Sequence, residues 1–130
     1  MATVQRFEDL EVWQNSRELP KLVIGLVQRT DLKSNFKLRD QIMASSGSVM
    51  DNIAEGFERN GNLEFRQFLS IAKGSAGETR SQLYRIYDWD YITKEELDDL
   101  VSRCEAISKR ISSFINYLNN SELKGSKFKK

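Results

Sequence analysis

Basic residues recur at intervals of seven in the middle of the sequence, at Arg66, Lys73 and Arg80, and Arg59 continues the series. Side chains seven residues apart lie on the same face of an α-helix. A row of cations on one face can contact successive phosphates of a nucleic acid. The simpler interpretation is a solvated face opposite the core, which we favour for a single chain. Repetition of the row around an oligomer would favour nucleic acid, because multivalency strengthens weak contacts.

Residues suited to catalysis are scarce. The sequence contains no histidine, which is the commonest general base and metal ligand, and Cys104 is its only cysteine. Cys104 lies in an apolar helical pattern, which indicates a buried structural thiol. Glu55 and Glu78 could carry protons, but the Glu-x-x-His ligand pairs of di-iron bundles need histidine. We therefore predict a protein without enzymatic activity, metal or cofactor.

The overall charge is nearly balanced, with 20 Lys and Arg residues against 19 Asp and Glu residues. The charge therefore does not by itself predict nucleic-acid binding. Residues 121–130 (SELKGSKFKK) concentrate positive charge and predict a flexible basic tail. That tail is either a solubilising end, which we favour, or a phosphate-binding arm.

No run of apolar residues approaches the roughly 18 that a membrane span requires. The N-terminus also lacks the charged and apolar pattern of a secretion signal. Together with the single cysteine, these features predict a cytoplasmic protein.

Apolar residues recur with the three- and four-residue spacing of α-helices. The clearest helix begins with a capping box at Thr93 and Glu96. Its apolar residues then form one continuous row: Leu97, Leu100, Cys104, Ile107, Ile111, Phe114 and Leu118. The whole pattern predicts helices over residues 8–30, 38–57, 63–88 and 94–118. Short connections force neighbours to be antiparallel, so residues 1–120 are predicted to form an all-α, antiparallel up-down-up-down four-helix bundle.

The first predicted helix carries more apolar surface than one bundle core needs. Ile24 extends its apolar face almost around the cylinder, which predicts a contact between subunits. Pro20 removes one backbone donor, so we expect it to kink this helix or to make it restart.

Small residues cluster in the second helix at 44–48 and in the third at 72–77, where Gly74 and Gly77 occur. A helical glycine costs about 0.5–1 kcal/mol relative to alanine, so two in one turn need an explanation. Close approach of the second and third helices is the simplest one. A backbone cradle for phosphate is the alternative.

Polar residues of these two helices have a structural interpretation. Asn52, Glu55 and Glu78 are predicted to make buried or interfacial hydrogen bonds, with Gln82 or Arg85 as partners, rather than to perform acid–base chemistry.

Aromatic residues fall near the predicted helix ends, at Trp13, Tyr87, Trp89 and Tyr91. Such residues usually seal the ends of a bundle. We favour that role over stacking on nucleic-acid bases.

Three segments together resemble a known family: FEDLEVWQNS at 7–16, QIMASSGSVMDNIAEGFERN at 41–60 and EFRQFLSIAKGSAGE at 64–78. The family comprises bacterial four-helix-bundle proteins encoded in intervening sequences of 23S rRNA genes, often labelled ribosomal-protein-like. The resemblance extends over roughly residues 7–118. Its most specific residues are Asn52, Glu55, Gly56, Gly74, Ser75 and Glu78.

The resemblance implies an antiparallel four-helix bundle that assembles as a ring-like homopentamer, with the motif residues in structural or interface roles. It also implies similarity to the accessory proteins of diversity-generating retroelements, which are pentameric and bind nucleic acid. We therefore expect a non-catalytic oligomer that binds structured RNA, such as rRNA, or a ribonucleoprotein partner. The alternative is a protein–protein interaction scaffold without a nucleic-acid role.

Overall fold

The computed structural model describes residues 4–121, and within that range the chain forms helices and no strands. The four helices are α1 (Glu11–Arg29), α2 (Phe36–Glu58), α3 (Asn62–Asp88) and α4 (Lys94–Asn119). Short 3-10 turns at Phe7–Asp9 and Asp31–Ser34 precede α1 and α2. The predicted all-α four-helix fold is confirmed. The predicted basic tail lies outside the described residues, apart from Ser121.

The first helix begins at Glu11, three residues later than the spacing predicted. Leu10 adopts extended backbone (φ −78°, ψ 127°) and its side chain is fully buried. Its N–H donates to the Phe7 carbonyl at 3.0 Å, so a separate turn inserts Leu10 into the core before the helix starts. The predicted restart at Pro20 is wrong, because α1 is continuous through it. Buried Leu19 and Val23 hold the helix to the core on both sides of that position.

Side-chain caps determine where the later helices begin. The Asn35 side chain accepts a hydrogen bond from the Leu38 N–H at 3.3 Å, which lets α2 start two residues before the predicted 38. The predicted capping box is confirmed, since Thr93 and Glu96 each accept the other's backbone N–H. The Thr93 backbone N–H lowers the pKa of the Glu96 carboxyl. That stabilisation is present above the ordinary carboxyl pKa and is lost as the pH falls through the lowered value.

The helices form a ring in which each contacts two neighbours, in the order α1, α2, α3, α4 and back to α1. Residue numbers rise along one helix as they fall along the next, so neighbours are antiparallel. Pairs in contact are Gln41–Arg85 and Ser48–Ser75 for α2 and α3, Asn62–Leu118 and Arg80–Glu105 for α3 and α4, and Arg29–Glu96 for α1 and α4. The connectivity is therefore up-down-up-down.

The core is continuous through the bundle and ends in an aromatic cluster beside the α2–α3 turn. Phe65 packs edge-to-face on Phe57 at 5.8 Å and on Phe114 at 5.3 Å between ring centroids. Cys104 is buried as predicted, and burial raises the pKa of its thiol to about 12. The thiol is therefore protonated at neutral pH. No helix in residues 4–121 combines the length and the apolar character that crossing a membrane requires.

The apolar surplus of α1 is mostly used within the subunit. Trp13 packs against Phe7, with 5.2 Å between ring centroids, and Leu22 packs against the core. Ile24 is the one large apolar side chain of α1 that stays exposed, at 36%. The first helix therefore offers less surface for a subunit contact than its sequence suggested.

Replacement of Ile111 by aspartate tests the core. Ile111 is fully buried on α4, and an unpaired carboxylate there should lower the free energy of unfolding by more than about 3 kcal/mol. The matched control is Ser113→Asp, two residues away on the exposed side of the same helix, which should change stability by less than about 0.5 kcal/mol. Urea unfolding followed by circular dichroism measures both. Equal midpoints for the two variants would contradict this packing.

Candidate nucleic-acid interface

The three α3 cations of the predicted row, Arg66, Lys73 and Arg80, lie along the boundary between α3 and α4. We call this row of cations the α3–α4 stripe. The Arg66 guanidinium donates to the Asn62 side chain at 2.7 Å and to the Asn119 side chain. Arg80 forms an ion pair with Glu105 at 3.3 Å. Lys73 lies between them in sequence, is exposed, and makes no ion pair within residues 4–121. Two of the three charges therefore have no carboxylate partner there.

Two α4 residues that the sequence reading did not single out change the charge of the stripe. Glu105 offsets Arg80. Lys109 follows Glu105 by four residues and so lies on the same side of α4, where it adds an exposed cation without an ion pair in the described structure. Neither residue belongs to the seven-residue series on α3. Only the register between α3 and α4 places Glu105 and Lys109 beside it.

Arg59 does not extend the stripe. Its guanidinium pairs with Glu55 at 3.0 Å and lies over the Phe68 ring, 5.0 Å from the centroid. Phe68 is two residues from Arg66, and residues two apart point to opposite sides of a helix. Arg59 therefore belongs to the α2–α3 side of the bundle, and the prediction that placed it in the row is wrong.

Tyr84 and Gly77 lie on α3 near the stripe. The Tyr84 side chain is 49% exposed. A Cβ atom added at Gly77 would have no atom within 4 Å, so the backbone is open to a ligand from outside. Both features are compatible with a phosphate chain lying along the helix.

The α2–α3 contact contains a chain of hydroxyl and amide groups. Ser45 donates to the Gln82 side chain at 2.6 Å and accepts from Thr79 at 2.9 Å. All three residues are buried. No buried side-chain nitrogen or oxygen in residues 4–121 lacks a hydrogen-bond partner. This network stabilises one register between the helices, because a shift would leave buried polar groups unpaired.

The family-motif residues adjoin this network. Asn52 and Ser75 both donate to the Ser48 hydroxyl, at 2.8 and 3.0 Å. Glu78 accepts from Gln82 at 3.5 Å, as predicted. Glu55 pairs with Arg59 instead of Gln82 or Arg85.

Gly56 is the glycine that the α2–α3 contact requires. A Cβ atom at this position would lie 2.5 Å from the Cβ of Phe68 and 3.1 Å from the Phe65 ring. Gly74 and Gly77 have no atom within 4 Å of an added Cβ. The predicted close approach of α2 and α3 is therefore confirmed. Its explanation by Gly74 and Gly77 is wrong, because both glycines face outwards.

The aromatic residues divide between two roles. Trp13 packs against Phe7, and the Tyr91 hydroxyl accepts a hydrogen bond from Asn35 at 3.1 Å. These contacts close the bundle ends as predicted. Trp89 does not, because 54% of it is exposed.

The arrangement offers exposed charged surface along the boundary between α3 and α4. In the part of the chain that the structure describes, no group of three or more His, Cys, Asp or Glu residues could hold a metal ion.

Comparisons with known proteins agree with this architecture. A family model described as 23S rRNA-intervening sequence protein matches residues 8–113. Among solved structures, the chain is similar to a protein with unknown function from the S23 ribosomal protein family of Bacteroides thetaiotaomicron, with 27% sequence identity and a TM-score of 0.72. That match covers 80% of this chain and 97% of the other. A comparison with curated proteins gave no match.

Two glycine substitutions on α2 test the close contact. Gly56→Ala should destabilise the protein by about 1–3 kcal/mol, because the new methyl group overlaps Phe68. Gly47→Ala, where an added Cβ meets nothing within 4 Å, should instead stabilise it by about 0.5–1 kcal/mol through helix propensity. Thermal unfolding compares the pair, and stabilisation by both substitutions would refute the contact.

Proposed function

Because the chain belongs to the 23S rRNA-intervening sequence protein family, we propose that it is a non-catalytic, homo-oligomeric protein that binds structured RNA or a ribonucleoprotein partner in the cytoplasm. The observation that carries the proposal is the α3–α4 stripe. Arg66 and Lys73 lie seven residues apart on one helix face, and neither has a carboxylate partner within residues 4–121. Unpaired cations along one helix suit phosphates spaced along a strand.

The affinity of the stripe for RNA depends on how many subunits present it together. One subunit presents Arg66, Lys73 and Lys109, while Arg80 is offset by Glu105. Three contacts support weak, salt-sensitive binding. A ring of subunits repeats them at fixed spacing, and the second and later contacts then form at high effective concentration.

Assembly is supported by the outward face of α3. Ile71 is 52% exposed, and Gly74, three residues further on, faces open space. A helical glycine without a neighbour costs stability and brings nothing to the subunit itself. Packing of a second subunit against Ile71 and Gly74 would explain both residues. The number five rests on the family resemblance.

A protein–protein scaffold without a nucleic-acid role is the second candidate. The net charge of +1 and the Arg80–Glu105 ion pair favour it. The experiment on the stripe separates the two candidates.

Charge reversal of the stripe tests RNA binding. The triple variant Arg66→Glu, Lys73→Glu and Arg80→Glu should abolish binding to an RNA hairpin with an unpaired loop, while helicity and assembly are retained. Wild-type affinity should fall with salt, with a slope of about −0.7 per phosphate contact for single strands. Fluorescence anisotropy of labelled RNA at several salt concentrations gives both quantities.

Two controls accompany this test. Arg17→Glu, Lys21→Glu and Lys33→Glu together change the net charge equally but leave the stripe intact, so this variant should still bind. A chain shortened after Ser121 isolates the basic tail. If the shortened chain loses binding and the stripe variant keeps it, the tail is the binding element. If both variants bind RNA as the wild type does, neither the stripe nor the tail is the binding element. If the wild-type chain binds no RNA even at low salt, the scaffold replaces the RNA proposal.

The mass of the protein in solution tests whether subunits assemble through the outward face of α3. Light scattering at micromolar concentration should give a multiple of the 15.1 kDa chain mass, with five as the expected number. Ile71→Glu should lower this mass, because a charge would be buried in the contact. Tyr117→Glu, at an exposed aromatic residue of α4, should leave it unchanged. A wild-type mass of 15.1 kDa would rule out the oligomer.

A further inference from the structure

A pocket of about 170 Å³ lies where the start of α2 meets the end of α3. We call it the terminal pocket. It is lined by Asn35, Lys37, Leu38, Gln41, Arg85 and Trp89. None of these residues belongs to the α3–α4 stripe. The lining combines an aromatic ring, two amides and two cations, and it contains no carboxylate.

Trp89 provides an accessible aromatic wall. Its side chain is 54% exposed, and the Arg85 guanidinium lies 5.9 Å from the ring centroid. Arg85 also donates to the Gln41 side-chain oxygen at 2.7 Å, which holds the guanidinium at the pocket. An exposed tryptophan beside a fixed arginine is a surface on which a flat ring can stack.

The polar groups of the pocket remain available for a ligand. Lys37 makes no ion pair or side-chain hydrogen bond within residues 4–121, and it lies in the first turn of α2, where the helix dipole favours an anion. The Gln41 amide nitrogen donates to no group in that part of the chain. A planar heterocycle could therefore receive a hydrogen bond from Gln41 while a linked anion contacts Lys37.

We propose that the terminal pocket binds one unpaired nucleobase together with its adjoining phosphate. The base stacks on Trp89 and contacts Gln41, and the phosphate lies at Lys37 and Arg85. The volume of about 170 Å³ accommodates one ring system. This inference deepens the RNA-binding proposal and rests on it where the base belongs to RNA. A free nucleotide has the same chemistry and is the second source.

An adjoining open depression supports continuation of a strand beyond one nucleotide. It shares Asn35 and Lys37 with the terminal pocket and also includes Phe36. Phe36 is 64% exposed, and the Arg39 guanidinium lies 4.7 Å from its ring centroid. A second exposed aromatic ring with a cation beside it thus borders the terminal pocket, a combination that single-strand binding surfaces use. Asp31 also lines this depression and Arg39 already forms an ion pair, so the depression carries less unpaired positive charge than the terminal pocket.

Tryptophan emission gives a direct test in the full-length protein. In a Trp13→Phe background, Trp89 is the only tryptophan. A short single-stranded RNA should quench its emission saturably, whereas an abasic strand of equal length and charge should bind without quenching. In an anisotropy assay, Trp89→Ala should weaken the base-bearing strand by about 10-fold or more, as expected for loss of one stacked base. It should leave the abasic strand unaffected.

Matched variants separate stacking from damage to the fold. Trp89→Phe should recover part of the affinity that Trp89→Ala loses. Lys37→Gln should weaken both strands and free nucleotide, while Lys33→Gln, outside the pocket, should not. Quenching by adenosine or uridine monophosphate alone would identify a free nucleotide as a sufficient ligand.

The outcomes distinguish this inference from the function on which it rests. If both strands bind without quenching and Trp89→Ala binds like its parent, the terminal pocket is not a base site and the RNA function stands. If neither strand binds but mononucleotides quench Trp89, the RNA function fails and the pocket assignment stands. If no nucleotide quenches Trp89, the inference is overturned, and a protein partner becomes the candidate for this surface.

Discussion

The rest of the bundle depends on the close antiparallel contact between α2 and α3. Gly56 permits the short distance, because any larger residue would overlap Phe68. The buried hydroxyl of Ser45, shared between Thr79 and Gln82, allows only one register. Apolar packing alone tolerates small shifts, but a hydrogen-bond network inside a core does not, since each displaced donor or acceptor would be buried unpaired.

That register determines what the two helices present at their ends and outer faces. It brings Gln41 to Arg85 and so forms the terminal pocket beside Trp89. It also commits one side of α3 to α2 and leaves the other side, with Arg66 and Lys73, to the boundary with α4. The terminal pocket and the α3–α4 stripe therefore both follow from the register between α2 and α3.

The glycines of α2 and α3 divide into two physical classes. Gly56 is required by contacts within the subunit, whereas Gly74 and Gly77 face open space. The fold gains nothing from the second class and bears their cost in helix propensity. Gly74, beside exposed Ile71, suits a second subunit, and Gly77, near the stripe, suits a phosphate chain.

The sequence by itself determined the four helices, the capping box before α4 and the row of core residues through Ile111. These features arise from contacts within one or two helical turns, so spacing along the chain is sufficient to find them. Only the tertiary structure decided which residues of different helices meet. It moved Arg59 to the α2–α3 side, paired Arg80 with Glu105, and exposed Trp89. Periodicity identifies the buried face of a helix, but the partner opposite each residue depends on the register between helices, which close packing and buried hydrogen bonds fix only when the chain is folded.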